Sequence, residues 1–210
     1  MAYRTEQEEF WSGEFGDAYI ERNQNKQIAA ANTALFSEVM KLTDHVETVI
    51  EFGSNIGLNL RAIHTLLPQA SLEAVEINQK AADILRNDSF FECPVKVHET
   101  SILEYEPAVQ YDFVLIKGVL IHMNPDELEH VYEKLYQSSG RYILLCEYYN
   151  PTPAAIEYRG HKERLFKRDF AGELLKKYQD VKLLSYGFCY HLDPNFPMDD
   201  ITWFLMEKEQ

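Results

Sequence analysis

The sequence predicts an α/β fold: a single doubly wound domain with a mostly parallel, seven-stranded sheet that closes on a C-terminal antiparallel hairpin. Three observations lead there. The stretch Thr48-Val-Ile-Glu-Phe-Gly-Ser-Asn-Ile-Gly57 is a β-branched apolar run that breaks at two glycines, and the helical pattern Leu58 to Leu67 follows it. A continuous apolar strand, Phe113 to Ile116, has the character of the middle of a parallel sheet. Near the end, Val181 to Tyr190 and Ile201 to Glu207 are two strands with no helix between them, so they pair antiparallel.

In order, residues 1–45 form an N-terminal helical cap or lid. Phe10, Trp11, Phe15 and Tyr19 cluster around Gly13 and Gly16, which suits a segment that packs and moves, with Tyr19 and Arg22 directed inward. The equally open reading is a segment that only covers the core edge. A helix from about Asn25 to Leu42 carries Ile28, Leu35, Phe36, Val39 and Met40 on one side. Residues 46–210 form the core. Strand Ser71 to Asn78 carries Glu76 near its end, Lys80 to Asn87 is a short helix, Val95 to Val97 a strand, and Thr100-Ser101-Ile102 a turn. Asn124-Pro125 opens a helix to about Tyr136. Strand Arg141 to Cys146 then leads into Glu147-Tyr-Tyr-Asn-Pro-Thr-Pro153, and a last helix spans Asp169 to Tyr178.

The formal net charge of −14 over 210 residues argues against nucleic acid as the main partner, because tracking phosphates needs a basic face. Three cysteines in no CxxC arrangement suit a reducing compartment and no metal site. No apolar run reaches membrane-spanning length and Met1 to Glu9 lacks a leader pattern, so a soluble, cytoplasmic protein is expected.

The first glycine turn narrows the ligand. A dinucleotide fingerprint would place glycines where Asn55 and Leu58 stand, and a phosphate-binding P-loop would place Gly-Lys at Leu58-Asn59. What remains is Glu51-x-Gly53-x-x-x-Gly57. A carboxylate there repels a pyrophosphate and suits an ammonium group, such as the methionine end of S-adenosylmethionine. Glu76, 19 positions after Gly57, lies near the interval at which a doubly wound sheet sets a carboxylate against ribose hydroxyls.

His122, at the end of the apolar turn after Lys117-Gly118, is a general-base candidate because its ordinary pKa is near neutrality. A histidine satisfied locally at a helix start is equally compatible. Residues 159–168 hold five Lys or Arg and one Glu in an otherwise acidic chain. They read either as a solvated loop and helix start or as an anion site, where guanidinium groups grip a carboxylate or phosphate.

The order of motifs resembles the class I S-adenosylmethionine-dependent methyltransferases, with Asn55 where many members have a middle glycine. The wording of Phe10-Trp-Ser-Gly-Glu-Phe-Gly, Lys117-Gly-Val-Leu-Ile-His, Glu147-Tyr-Tyr-Asn-Pro-Thr-Pro and Tyr158-Arg-Gly-His-Lys-Glu-Arg-Leu-Phe-Lys-Arg resembles the methylases associated with pseudaminic acid biosynthesis. The resemblance implies a Rossmann-like methyltransferase fold, S-adenosyl-L-methionine as cofactor, and a small acidic sugar or nucleotide-activated sugar as acceptor. It implies a cofactor site of Tyr19, Arg22, Glu51, Gly53, Asn55, Gly57, Glu76, Ile77, Ser101, Ile102, Lys117 and Gly118. Glu51 and Lys117 would frame the methionine end, Glu76 the ribose and Ser101 the adenine. His122, His161 or Tyr148 would take the proton, and Tyr149, Arg159, Lys162, Arg164 and Arg168 would meet the acceptor. Another small-molecule or protein acceptor, or a protein that binds the cofactor without catalysis, are the alternatives.

Overall fold

The computed structural model describes residues 3–22 and 26–209. Its main sheet holds seven strands: β1 (Thr48–Phe52), β2 (Ser71–Glu76), β3 (Lys96–Glu99), β4 (Tyr111–Lys117), β5 (Ser139–Glu147), β8 (Val181–Cys189) and β9 (Ile201–Lys208). Their order is β3-β2-β1-β4-β5-β9-β8. The first five strands are parallel, and β9 runs antiparallel to both β5 and β8. The chain winds outward from β1 to β3 and then returns to β4 on the other side of β1. That reversal opens a crevice at the carboxyl ends of β1 and β4.

Alternation along the strands explains the two-sided core. Ile50, Phe52, Val114 and Ile116 face one layer of helices, α6 (Leu128–Ser138) and α7 (Phe170–Lys177). Val49, Phe113 and Leu115 face the other, with α3 (Lys26–Met40), α4 (Leu58–Leu66) and α5 (Gln79–Arg86). Period-two strands covered on both faces give the near-continuous apolar reading of β4. The sequence places a helix start at Asn25, which lies outside the described residues, as does Asn23.

Ahead of α3, two short helices, α1 (Glu6–Ser12) and α2 (Glu14–Arg22), lie over the carboxyl ends of the strands. Thr5 and Glu8 form a reciprocal capping box at the start of α1. Gly16 is the point of closest approach, since a Cβ there would stand 1.9 Å from the Trp11 carbonyl oxygen.

The basic segment departs from the sequence reading. It is a two-stranded antiparallel hairpin, β6 (Ala154–Tyr158) and β7 (His161–Lys167), and the next helix starts after it, at Phe170. The turn residues Arg159 and Gly160 both have positive φ, 52° and 84°, the pattern of the two-residue turns whose twist matches that of the strands. Leu165 is buried in the core while alternation sets Lys162 and Arg164 on the opposite side of the strand. No helix among the described residues is long and apolar enough to cross a membrane.

Candidate cofactor-binding site

Four turns at the carboxyl ends of neighbouring strands line one cavity of about 200 Å³. Gly53, Ser54 and Asn55 come from β1, Glu76, Ile77 and Asn78 from β2, Ser101 and Ile102 from β3, and Lys117, Gly118 and Val119 from β4. The roof is Gln7, Glu8, Trp11, Gly16 and Tyr19 from α1 and α2, with Ile28 and Asn32 of α3.

The β1 turn needs its glycines. Gly53 has φ 73°, and a Cβ there would meet Val119 at 2.5 Å; Gly57 caps α4 at φ 79° and would meet Leu85 at 2.4 Å. Asn55 also has positive φ, 48°. Asparagine tolerates that region better than other non-glycine residues, so the departure from a middle glycine keeps the turn.

Glu76 is the most constrained group in the site. One carboxylate oxygen accepts the Asn55 N–H at 2.6 Å and the other the Asn78 N–H at 2.7 Å. The residue is only 7% exposed and lines the cavity. Burial raises its pKa, and the N–H groups of Asn78, Asn55 and Ile77 oppose that rise. A carboxylate has about four lone-pair positions, so Glu76 keeps capacity for a further donor.

Glu51 lies behind the wall, fully buried at the end of β1, and burial pushes its carboxyl up to about 8. Asn59 donates to one of its oxygens at 2.6 Å, while the other has no partner among the described residues. Asn32 Oδ1, Asn59 Oδ1 and Trp11 Nε1 are also buried and unpartnered there, and all three residues line the cavity. Buried polar atoms left unpaired are expensive, so a polar ligand between them offsets a cost that is already present. The half-buried Lys117 makes no ion pair among the described residues, and its charge lowers the pKa of Glu51 and Glu147. A diol fits Glu76, an ammonium fits Glu51 with the Asn32 and Asn59 oxygens, and a carboxylate fits Lys117. S-adenosylmethionine carries all three groups.

His122 lines the cavity at its β4 end, 8% exposed, between the rings of Trp11 and Tyr158. Its Nδ1 is 2.5 Å from the Arg164 carbonyl oxygen. A carbonyl only accepts, so Nδ1 carries the proton and Nε2 is left as the acceptor. Burial lowers its pKa to about 4.

The other proton acceptors and acceptor-binding residues of the sequence reading lie elsewhere. His161 is exposed on the hairpin, against Phe10 and Phe15. Tyr148 is half-buried beneath the Lys167 ammonium, and burial raises its phenol pKa, so it stays neutral. Arg22, expected in the cofactor site, is outside the cavity lining and stacks on Phe15 and Tyr19, and Tyr149 packs against Phe204. Arg164 pairs with Glu6 at 3.0 Å and Arg168 with Glu173 at 2.7 Å, so two of the cations already have carboxylate partners. Arg159 and Lys162 are exposed beside the hairpin turn.

Two site carboxylates escaped the sequence reading. Glu147, buried at the end of β5, accepts the Val119 and Leu120 N–H groups at 3.0 and 2.9 Å and so fixes the turn that carries His122. Glu8 hydrogen-bonds the Ser101 hydroxyl in the cavity wall. Its signal was the Thr5-x-x-Glu8 capping box in the sequence.

No protein-family model and no curated protein sequence matches the chain. Solved structures do. The 1,6-didemethyltoxoflavin-N1-methyltransferase of Burkholderia thailandensis, with 1,6-didemethyltoxoflavin and S-adenosylhomocysteine bound, aligns at TM-score 0.69 and 12% identity, covering 97% of this chain and 87% of that one. The magnesium protoporphyrin IX methyltransferase of Synechocystis PCC 6803, with bound S-adenosylmethionine, aligns at 0.66 and 11% identity over 100% of both chains. A plantazolicin methyltransferase in complex with S-adenosylhomocysteine aligns at 0.66 and 14%, covering 97% and 94%. Their acceptors differ while the architecture is shared. The chain has the class I methyltransferase fold.

Proposed function

We propose that the chain is an S-adenosylmethionine-dependent methyltransferase whose acceptor is a small acidic sugar, free or nucleotide-activated, of nonulosonic (pseudaminic) acid biosynthesis. The observation that carries the cofactor half is Glu76, a buried carboxylate oriented by backbone N–H groups and facing the cavity with acceptor capacity left. The fold supports it, and so do the oxygens of Glu51, Asn32 and Asn59 that have no partner among the described residues.

The acceptor half rests on the resemblance of the loops and on the cations of the β6–β7 hairpin. Arg159 and Lys162 are the members of that cluster available to an incoming anion, because Arg164 and Arg168 hold Glu6 and Glu173.

When bound, the cofactor supplies an electrophilic methyl group. Glu76 holds the ribose diol, Lys117 the methionine carboxylate and Glu51 the ammonium, and the roof helices exclude water, so the work of the protein is alignment. His122 presents Nε2 as a fixed acceptor at the β4 end. Its low basicity is sufficient for a hydroxyl acceptor, because an oxygen gaining a methyl becomes strongly acidic and its proton moves downhill to an imidazole titrating near 4.

Calorimetry with S-adenosylmethionine and S-adenosylhomocysteine, repeated with nucleotide-activated acidic sugars present, tests both halves. Cofactor binding whose affinity changes with the sugar is expected. Absence of binding by either cofactor to the folded protein overturns the methyltransferase reading, and binding indifferent to every acidic sugar overturns the acceptor assignment.

A further inference from the structure

The N-terminal helix α1 crosses the cavity, with Glu8 over the β3 end and Trp11, one turn later, against His122 at the β4 end. Glu8 is unusual for a carboxylate on a seven-residue surface helix, being 5% exposed with no ion-pair partner among the described residues. One of its oxygens is saturated by the Thr5 N–H at 2.8 Å and the Thr5 hydroxyl at 3.1 Å. The other accepts from Ser101 Oγ, which in turn accepts the Leu103 N–H at 3.1 Å. Three of about four acceptor positions are filled, and the remaining one belongs to the oxygen at the cavity wall.

The placement of the cofactor follows from the strand order. Its ribose stands at Glu76 on β2 and its methionine end at Glu51 and Lys117 on β1 and β4, so its base extends toward the next strand outward, β3. There the wall is Ser101, Ile102 and the Glu8 carboxylate. A carboxylate only accepts, and the donor that adenine carries on its edge is the 6-amino group.

The geometry points to Glu8 as the acceptor for the adenine 6-amino group, contributed by the cap and oriented by Ser101, so that the cap itself reads the identity of the base. This rests on the methyltransferase reading above. It gives the cap a role beyond covering the cavity: the roof is complete only around an amino-purine, and a 6-oxo purine sets a carbonyl against a buried carboxylate.

The test compares binding of S-adenosylhomocysteine with that of its 6-oxo counterpart, S-inosylhomocysteine, by calorimetry. Wild-type protein is expected to prefer the amino form by on the order of tenfold or more, as for a hydrogen bond to a charged group. In Glu8→Ala that ratio falls about tenfold. In Glu8→Gln, the milder variant that keeps the proposal testable where Glu8→Ala does not fold, it also falls, because an amide can turn its NH₂ toward a carbonyl. A purely structural Glu8 lowers both affinities together and leaves the ratio unchanged. An unchanged ratio in either folded variant overturns this proposal alone. Failure of the wild-type protein to bind S-adenosylhomocysteine overturns the reading beneath it as well.

Discussion

At the floor of the cavity the strand-end carboxylates Glu76 and Glu147 are held by backbone N–H groups, whereas ring contacts and an ion pair join the roof to the hairpin. Glu76 is clamped by Asn55 and Asn78 N–H groups, and Glu147 by Val119 and Leu120 N–H groups. Across the roof, Phe10 and Phe15 stack, the Arg164 guanidinium lies over Phe10, and its partner Glu6 is 79% exposed. Backbone donors on a packed parallel sheet are fixed before any ligand arrives. Exposed ion pairs and ring contacts are each worth little, about 1 kcal/mol or less. The floor is therefore preorganised, and the roof is the more weakly held of the two.

The largest expected effect comes from breaking the floor. Glu76→Ala removes the acceptor of two N–H groups and of the ribose diol together, so affinity for S-adenosylhomocysteine falls on the order of a hundredfold or more. Calorimetry on a variant that still melts cooperatively checks it. Unchanged affinity would remove Glu76 from the site and with it the central support for the functional reading.

Next is the buried acid behind the floor. The folded-state pKa of Glu51 is raised from its ordinary 4.5 to about 8. The stability it contributes is complete below its unfolded pKa and is lost as pH rises through about 8. Glu51→Gln removes that loss, so the stability of the free variant relative to wild type rises by on the order of 3 kcal/mol between pH 5.5 and pH 8. Urea denaturation at the two pH values decides it. A difference independent of pH means that Glu51 is not held protonated in the empty site. Glu147, pushed by burial to about 7, titrates in both proteins and cancels in the comparison.

The same contrast governs what was legible in the sequence. The floor announces itself: a glycine turn is required where backbones meet, as at Gly53 against Val119, and strand-end acids recur at intervals set by the βαβ unit. Seven strands follow from periodicity and Glu76 from spacing, whereas Ser101 and Lys117 in the cavity wall were expected from the resemblance of the motifs. The roof is made of tertiary contacts between segments far apart in the chain, such as Gln7 to Glu163 at 3.2 Å and Arg164 to Glu6, and no local pattern specifies them. Charge density at 159–168 suggested an anion site. Strand alternation, with Leu165 inward and two positive-φ turn residues at Arg159-Gly160, was the informative signal there. Likewise Glu8 sat inside a visible capping box, yet only the fold brings it to Ser101.

The smallest effect sharpens the comparison at the rim of the roof. Arg159 is exposed at the hairpin turn with its guanidinium over Tyr158 and outside the cavity lining. Its reversal, Arg159→Glu, leaves cofactor affinity within about twofold, since the charge is exposed to solvent and largely screened. Toward an acidic acceptor the same change reverses a steering charge, so KM rises several-fold while kcat holds, and added salt narrows the gap. Steady-state kinetics at low and high salt separate the cases. An unchanged KM on the true acceptor would take the hairpin cations out of acceptor recognition, and the pocket beneath the roof would then carry specificity through Trp11, His122 and Tyr158 alone.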